Sequence, residues 1–593
     1  MDFQFWYTLI LLILTTFFLI KESFETELVL LSFLFLLILG KVVSVKEAFV
    51  GFSNEGMLTI GFLFIVAAGL NNSGLMGQLQ NLLFGNRNHS GYSKKLTRIL
   101  FPVTTVSAFI NNTPVVALLI PALKNWTERL NFAPSKFFIP LSYAAMLGGM
   151  CTLIGTSTNL IIYGLMEENG IRGLEMFEIS KIGVPVAISG LLFIIFVVSK
   201  LLPERKESLQ NLEANTREFV VALKVTPKFK GIGKTIEEAG LRHLTGLFLF
   251  QIERNGEIIA PARPDEVIKV GDRLFFTGLP KTILELQKTP GLKIIEDAQL
   301  DLKQYDSSEI RPFEVVISNS SPLIGQNVRE SNFRQKYDAV IIAIHRNGER
   351  IQKKIGDIVL KAGDTLLLLA RKDFLKKYYH SRDFLLVSES VQVPSKPVKN
   401  QMIAVGTIAL MVVLFVFHLV PIVVAAGIAV MILLLTRTIS LEEARESVDF
   451  RVLVIIAAAF GIAAGIKNSG LAQFFAHYII LGGNALGVIG VLTGVFLLTS
   501  GYANIITNNA TAALVFPIVL AITTEMQVDP RPFILTMAIA ASSSFATPIS
   551  YQTNIMVYGP GRYRFKDFLR AGIPMQLFVT AVSVTLIYFL YFK

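Results

Sequence analysis

An internal duplication within strongly apolar sequence constrains this chain more than any other feature. Residues 67–75 (AAGLNNSGL) return as 463–471 (AAGIKNSGL), and Asn111-Asn112-Thr113 is matched by Thr507-Asn508-Asn509 at nearly the same spacing. The chain is 52% hydrophobic and 17% charged, whereas soluble domains carry about 25% charged residues. A repeated membrane unit with polar interruptions at matching positions is typical of a secondary transporter.

Apolar runs of about 18–20 residues can cross a bilayer. We predict five spans in the first copy, at 5–20, 28–43, 57–75, 137–165 and 181–201, and five in the second, at 401–419, 421–436, 451–466, 531–558 and 573–591. Two longer runs, 98–125 and 487–525, are broken by the asparagine-rich tripeptides. We predict that both are re-entrant hairpins with the break at the tip. Because five is an odd number, the two copies would have inverted orientations.

The formal charge of +11 is explained better by membrane topology than by binding of nucleic acid. Basic residues cluster at 86–98, 200–206 and 562–570, and the loops 167–178 and 525–529 lean acidic. The positive-inside rule assigns the basic set to the cytoplasm and the acidic set to the outside. The first hairpin then enters from the cytoplasm and the second from outside. We predict a multi-pass protein of the inner (plasma) membrane.

A charged segment separates the two copies and carries a second, smaller duplication. Residues 248–257 match 340–349, each with an Arg-Asn-Gly-Glu turn, and 270–272 match 362–364. An Asn-Gly pair between β-rich runs predicts a hairpin. We therefore predict two small α+β domains, at 216–290 and 311–385. Linkers at 202–215 and 386–400 would join them to membrane repeats at 1–201 and 401–593, and the insert would be cytoplasmic.

The two inserted units resemble the C-terminal domain of RCK (TrkA-C) regulators, on the Arg-Asn-Gly-Glu hairpin and the following Gly-Asp strand. This resemblance implies a dimerising module that binds a regulatory nucleotide in some members, such as a cyclic dinucleotide. A purely structural module without a ligand is an equal alternative. The stretch 230–235 (KGIGKT) lacks the four-residue gap between glycines of a phosphate-binding P-loop.

The polar clusters of the membrane half lie in sequence without acidic or basic residues. Asp, Glu, Lys and Arg are absent from 101–123, 137–166 and 485–524, which disfavours a carrier built on a buried carboxylate. Neutral donors remain, around the two tips and in 155–159 and 546–554. Helix N-termini at such breaks attract an anion, and unwound carbonyls with hydroxyl and amide oxygens suit sodium. The alternative is that these side chains only hydrogen-bond neighbouring helices.

The tips, the stretch 155–159 and above all the terminal stretch 553–568 look like the divalent anion:sodium symporter family of the ion transporter superfamily. The resemblance implies a homodimer of elevator transporters without an organic cofactor. It implies an anion site made of Asn111, Asn112, Thr113, Thr158, Asn159, Thr507, Asn508, Asn509, Thr553 and Asn554. It implies sodium sites made of Ser107, Asn112 and Gly155 in one half, and of Asn508, Thr547 and Ser550 in the other.

The sequence departs from that family where substrates are selected. Asn111 and Thr507 stand where the family has serine, and Ser157-Thr158-Asn159 replaces the Pro-Pro-Asn of dicarboxylate members. These changes favour sodium-coupled uptake of sulfate or a similar divalent oxyanion, regulated by the insert. A dicarboxylate symporter, a metalloid efflux carrier and a channel-like conductance are the alternatives. An enzyme is not expected, because the sequence contains no metal-ligand spacing and no nucleophile–base pattern.

Overall fold

The computed structural model describes residues 3–21, 24–72, 83–84, 91–130, 132–205, 220–241, 247–259, 262–278, 289–295, 310–318, 321–346, 349–351, 355–378, 381, 383–386 and 398–593. Several predicted features lie outside these residues. They are most of both linkers, the repeated Ser-Gly-Leu at 73–75 and the Asn-Gly turn at 347–348.

The first half of the membrane region is helical. Its helices are Phe3–Lys21, Thr26–Leu39, Val45–Phe49, Glu55–Asn72, Tyr92–Ser107, Asn112–Arg129, Phe138–Gly149, Ser157–Glu168 and Ser180–Phe193, the last continuing through Leu201. The second half repeats this order and has one further described helix, Leu471–Gly483. Its helices are Val398–Val416, Ile422–Leu435, Leu441–Ser447, Phe450–Asn468, Leu471–Gly483, Gly487–Ala503, Asn508–Met526, Pro530–Ala541, Gln552–Tyr558 and Phe565–Tyr591. Within the described part, seven helical stretches are long and apolar enough to span a membrane.

Local sequence explains why matching helices begin at matching residues. The side chain of Ser44 accepts a hydrogen bond from the backbone N–H of Glu47, and the backbone N–H of Ser44 donates one to the carboxylate of Glu47. Ser440 and Glu443 form the same capping box 396 positions later. A capping box satisfies two backbone donors that a helix would otherwise leave unpaired. The duplication is therefore preserved in the local structure as well as in the amino-acid sequence.

Two predicted spans are wrong as continuous runs. The stretch 137–165 is two helices, Phe138–Gly149 and Ser157–Glu168, and 531–558 is also two, Pro530–Ala541 and Gln552–Tyr558. We call these pairs the first and second broken segments. Glycines at 148–149 and the serines at 542–544 weaken the helices where they end, because both residue types favour non-helical backbone. A helix at Leu471–Gly483 was also not predicted.

Each long polar-tipped run folds as helix, break and helix. Tyr92–Ser107 and Asn112–Arg129 form the first hairpin, and Gly487–Ala503 and Asn508–Met526 form the second. The second hairpin packs against the first broken segment, and the first hairpin packs against the second broken segment. This crossed packing brings the polar breaks of the two halves together.

The described residues of the insert form two five-stranded antiparallel sheets of the same topology. Strands β1 to β5 are Val220–Val225, Leu247–Arg254, Glu257–Ile259, Arg273–Gly278 and Leu292–Ile294, in the order β3-β2-β4-β1-β5. Strands β6 to β10 are Ile310–Ile317, Ala339–Arg346, Glu349–Arg350, Thr365–Arg371 and Phe384–Leu386, in the order β10-β6-β9-β7-β8. Short helices Phe333–Tyr337 and Phe374–Tyr378 cover the second sheet.

We call the two sheets with their loops the first and second insert modules. Each module contains, at the same place, an ion pair whose carboxylate is fully buried. Arg254 binds Asp272 at 2.9 Å and Arg346 binds Asp364 at 2.7 Å, and the hydrogen bonds to these carboxylates raise the pKa of both arginines. The modules pack on one another through a shared apolar cluster of Ala222, Phe250, Phe275, Val340, Ile342 and Leu369.

Candidate functional site

The tip of the first hairpin contacts the second broken segment. Asn112 begins the second arm of this hairpin, and its Oδ1 accepts a hydrogen bond from Ser107 Oγ at 2.6 Å. Its Nδ2 donates to the hydroxyl of Tyr551, and Thr113 Oγ1 donates to Gln552 Oε1 at 2.9 Å. The amide of Asn112 thus uses both its oxygen and its nitrogen, and it links the two arms of its own hairpin to the other half of the protein.

The tip of the second hairpin contacts the first broken segment in the reciprocal way. Asn509 Oδ1 accepts hydrogen bonds from Ser157 Oγ at 3.2 Å and from Thr158 Oγ1 at 3.1 Å. Asn508 Oδ1 accepts from Ser544 Oγ at 2.7 Å. Asn508 Nδ2 is buried and has no hydrogen-bond partner within the described part of the chain. This amide therefore presents an uncommitted donor at the junction of the two halves.

Four helix N-termini lie at these contacts in two pairs, which a hydrogen bond between the side chains of Tyr551 and Thr156 joins. The helices that begin at Asn112 and Gln552 touch through their first residues, and so do those that begin at Ser157 and Asn508. The first N–H groups of a helix have no partner inside it, and the helix dipole makes this end positive. An anion at this junction can be held by backbone dipoles without a buried lysine or arginine.

Backbone oxygens converge behind the first tip. Thr152 Oγ1 donates to the carbonyl of Ala108 in the hairpin break, and the N–H of Gly155 donates to Thr152 Oγ1 at 3.2 Å. A Cβ on Gly155 would lie 2.5 Å from the carbonyl oxygen of Gly149, so only glycine allows this approach. Carbonyls and hydroxyls gathered around an unwound segment are the ligands that a hard cation such as sodium prefers.

The second tip repeats this arrangement. Thr547 Oγ1 donates to the carbonyl of Asn504 at 2.8 Å, as Thr152 does to Ala108. Ser550 Oγ donates to the carbonyl of Thr547 at 3.3 Å. Asn504 Oδ1 accepts the N–H of Ala546 at 2.9 Å, which ties the hairpin break to the broken segment. Each half of the protein therefore places one oxygen-rich cage behind one hairpin tip.

Some of the predicted residues stabilise the non-helical backbone between the two helices of each broken segment. Asn554 Nδ2 donates to the carbonyls of Ser544 and Thr547, and its Oδ1 accepts from Ser142 Oγ at 2.7 Å. Asn159 Nδ2 donates to the carbonyl of Thr152 at 2.9 Å, whereas its Oδ1 is buried and has no partner among the described residues. These amides replace the hydrogen bonds that the unwound backbone has lost.

The remaining predicted residues lie at the edges of the junction. Thr553 is fully buried and shares a 2.7 Å hydrogen bond with Ser142. Thr507 caps the second arm of its hairpin by accepting the N–H of Ala510 at 3.4 Å, and its side chain is otherwise exposed. Asn111 lines a small, largely apolar cavity of about 40 Å³ together with Ser157. The structure thus brings all of the sequence-predicted residues to one region, in different roles.

Sequence reasoning missed Thr152, Asn504, Ser544 and Tyr551 as site residues. A signal for one of them was present, because Thr152 and Thr547 occupy matching positions of the duplication and Thr547 was predicted. Asn504 corresponds to Ala108 in the duplication, and each residue accepts a hydrogen bond through its backbone carbonyl. Because a carbonyl is present at every residue, the side chain at this position could not indicate a site residue.

A larger cavity of about 780 Å³ opens between the helix Phe450–Asn468 and the second hairpin. Phe460 and Phe516 line it, and its charged lining residues are Glu47, Glu168, Lys467 and Glu525. Nearby, Arg531 binds the buried Glu178 at 2.5 and 2.8 Å, joining the loops of the two halves. Burial alone would raise the pKa of Glu178, but the hydrogen bonds from Arg531 and the backbone outweigh it and lower the pKa.

Comparison with known proteins agrees with this architecture. The chain matches the family described as citrate transporter (CitMHS) over residues 9–516 and 491–593. A putative sulfur deprivation response regulator of Chlamydomonas reinhardtii is 36% identical over 568 residues, which cover 94% of this chain and 97% of that protein. Sodium/sulfate cotransporter 1 of the same alga is 25% identical over 758 residues, covering 92% and 85%. A sodium-dependent dicarboxylate transporter of Staphylococcus saprophyticus is 29% identical over 156 residues, covering 26% and 29%.

The fold and these matches define a multi-pass helical membrane transporter. The chain belongs to the citrate transporter (CitMHS) family, and the resemblance to divalent anion:sodium symporters is confirmed by its sodium/sulfate and dicarboxylate relatives. It is a secondary transporter with sulfate-related relatives, and it is not an enzyme.

Proposed function

We propose that the protein couples the inward movement of sodium to the uptake of sulfate or a similar divalent oxyanion. The observation that carries this proposal is the junction of four helix N-termini, where the buried Nδ2 of Asn508 lacks a partner among the residues that the structure describes. An oxyanion has acceptors on every side, so it satisfies this amide donor and the free backbone N–H groups at once.

Sodium would bind in the two oxygen cages before or together with the anion. The cages share their hairpins with the anion junction, since Asn112 and Asn508 adjoin both. A bound cation behind each tip would offset the two negative charges of sulfate, because the sequence around the tips and breaks (101–123, 137–166, 485–524 and 546–554) contains no Asp, Glu, Lys or Arg. Each ligand then lowers the free energy for binding the other, and this reciprocal coupling is what symport requires.

The preference for a small oxyanion rests on the residues that close the junction. Ser157 and Thr158 both donate to Asn509, so the site is bounded here by polar groups from both halves. A tetrahedral anion accepts hydrogen bonds in all directions, whereas a dicarboxylate needs a longer site with two separate donor groups. Two full-length relatives bear names that refer to sulfate or sulfur.

We propose inverted orientations for the two halves, with the insert in the cytoplasm. Opposed hairpins would let a unit of hairpins and broken segments move as an elevator against the remaining helices, in a homodimer within the plasma membrane. The cavity beside Glu525 would then face the outside. The insert would regulate transport, with or without a nucleotide ligand.

A transport assay with purified protein tests the proposal. Proteoliposomes with an inward sodium gradient should accumulate labelled sulfate, and uptake should stop when sodium is replaced by potassium or when the gradient is dissipated. Selenate should compete, because it has the same charge and shape. Accumulation of succinate but not sulfate would favour the dicarboxylate alternative. Steady sulfate currents without accumulation above equilibrium would contradict symport.

A further inference from the structure

The second insert module touches the helix that carries part of the site. A Cβ added to Gly363 would lie 3.3 Å from Cγ2 of Ile555, and a Cβ added to Gly559 would lie 2.2 Å from Oγ1 of Thr365. The backbone at Gly559 therefore approaches the module more closely than a residue with a side chain would allow. Val316, the strand partner of Thr365, is completely buried in the same apolar core as the membrane helices.

The first insert module provides an internal comparison, because its residues correspond position by position. Lys224 stands where the second module has Val316, and Arg273 stands where it has Thr365. Lys224 is exposed, and Arg273 pairs with Glu253 at 2.8 Å. A Cβ on Gly271, the counterpart of Gly363, would meet nothing within 4 Å. The apolar and neutral substitutions are thus confined to the module that meets the membrane region.

The contact between the second insert module and Gly559 lies at the end of a short helix whose other end belongs to the candidate site. Gly559 directly follows the helix Gln552–Tyr558, whose first residues are Gln552, Thr553 and Asn554. Seven residues span about 10 Å at 1.5 Å each. A single helix of this length moves as a rigid rod, so a module that holds its end also restrains Gln552, which binds Thr113 in the first hairpin.

We propose that the second insert module is an autoinhibitory clamp. When it is docked on Gly559, it immobilises the helix Gln552–Tyr558 and arrests transport, and release of the module permits the site to move. This inference rests on the proposed function and names the regulation of that site. The docked state buries Thr365 Oγ1 without a hydrogen-bond partner in the part of the chain that the structure describes. A buried hydroxyl without a partner is unfavourable, which makes the docking reversible.

The geometry allows the docked state to be locked by a disulfide. A Cβ on Gly559 would lie 3.6 Å from Cβ of Thr365, within the 3.5–4.5 Å that a disulfide bridges. The one atom that it would clash with is Oγ1 of Thr365, and the substitution Thr365→Cys removes this oxygen. The variant Thr365→Cys with Gly559→Cys should form this bond when diamide removes two electrons and two protons from the paired thiols. The chain has one native cysteine, Cys151, which is buried. Mass spectrometry of peptides would verify the bond.

The clamp predicts that oxidation reduces sulfate uptake by the double variant to the level of protein-free liposomes, and that a reductant restores it. Each single cysteine variant should be insensitive to diamide. Arg273→Cys with Gly559→Cys is the matched control in the first module, and it should not cross-link. Thr365→Arg installs the residue that the first module carries and should release the clamp, raising uptake about fivefold or more, the lower end of a typical allosteric coupling.

The outcomes separate this inference from the proposed function. If neither the unmodified protein nor the released variant Thr365→Arg takes up sulfate, the proposed function fails. If the protein transports sulfate but the cross-linked and reduced forms do so at the same rate, the clamp is overturned. Failure of the cross-link to form would overturn the docking itself. Uptake by folded, membrane-inserted Thr365→Arg that does not exceed that of the parent protein would also overturn the clamp.

Discussion

The variant Asn508→Asp tests the anion site with a change of almost no volume. The side-chain oxygen that accepts the hydrogen bond from Ser544 at 2.7 Å is retained. The buried NH₂ group, which has no partner in the described ranges, becomes a second oxygen. The substitution therefore removes the proposed donor to the anion and places negative charge or a lone pair in its position, while the packing of the second hairpin is preserved.

The expected magnitude follows from the contact that is lost. A hydrogen bond to a charged group contributes about 1.5–3 kcal/mol, and every 1.4 kcal/mol is a factor of ten in affinity. Sulfate should therefore bind about 10- to 150-fold more weakly, and repulsion by an ionised aspartate would add to this loss. Sodium affinity should not fall, because the variant adds an oxygen next to the second cage.

Binding and transport should be measured separately on the same preparation. Sulfate-dependent thermal stabilisation in nanodiscs at fixed sodium gives affinity, and uptake into proteoliposomes gives transport. Ser544→Ala is the matched control, since it removes the partner of Asn508 Oδ1 but leaves the donor in place, and we expect a much smaller loss of sulfate affinity. Wild-type sulfate affinity in Asn508→Asp would refute the assignment of this amide to the anion.

Three further predictions concern the cages, the first tip and the loops. Thr152→Val and Thr547→Val should each raise the sodium concentration for half-maximal uptake, with little change in sulfate affinity at saturating sodium; an unchanged sodium dependence in both would contradict the cage assignment. Asn112→Ala should lower the free energy of unfolding by about 1–3 kcal/mol, because it leaves buried partners unpaired, and an unaltered denaturation midpoint would contradict this. The lowered pKa of Glu178 means that its ion pair with Arg531 stabilises the protein above the ordinary glutamate pKa of about 4.3 and is lost as pH falls through the lowered value. The melting temperature of the wild type should then fall more steeply between about pH 5 and pH 3 than that of Glu178→Gln, and parallel curves would exclude the effect.

The duplication and the apolar runs predicted the helical membrane class because their causes are local. The capping boxes at Ser44 and Ser440 and the hairpin breaks around Asn112 and Asn508 can be recognised from the amino-acid sequence alone. The interruptions of 137–165 and 531–558 could not be located as helix ends, since neutral polar residues such as those at 155–159 and 546–554 also occur within continuous membrane helices. Whether such a run unwinds depends on partners such as Ser142, which lie far away in sequence.

The candidate site was predictable where its chemistry is carried by repeated side chains. Asn112, Asn508 and Thr547 stand out because their neighbours return in the other half. Tyr551 and Ser544 could not be found in this way, because Thr156 and Gly149 occupy the matching positions. The role of a backbone carbonyl such as that of Asn504 cannot be predicted from the sequence, because every residue has one. The oxygens that form the cages could therefore be identified only from the structure.

A cryo-electron microscopy map of the protein in nanodiscs with sodium and selenate tests the central claim most directly. The account predicts density for the oxyanion between the helix N-termini at Asn112 and Asn508, within hydrogen-bond distance of Asn508 Nδ2. It also predicts a smaller peak among the oxygens around Thr152 and another around Thr547. Selenate density elsewhere in the membrane region, with the junction closed by direct contacts between the two tips, would contradict the account.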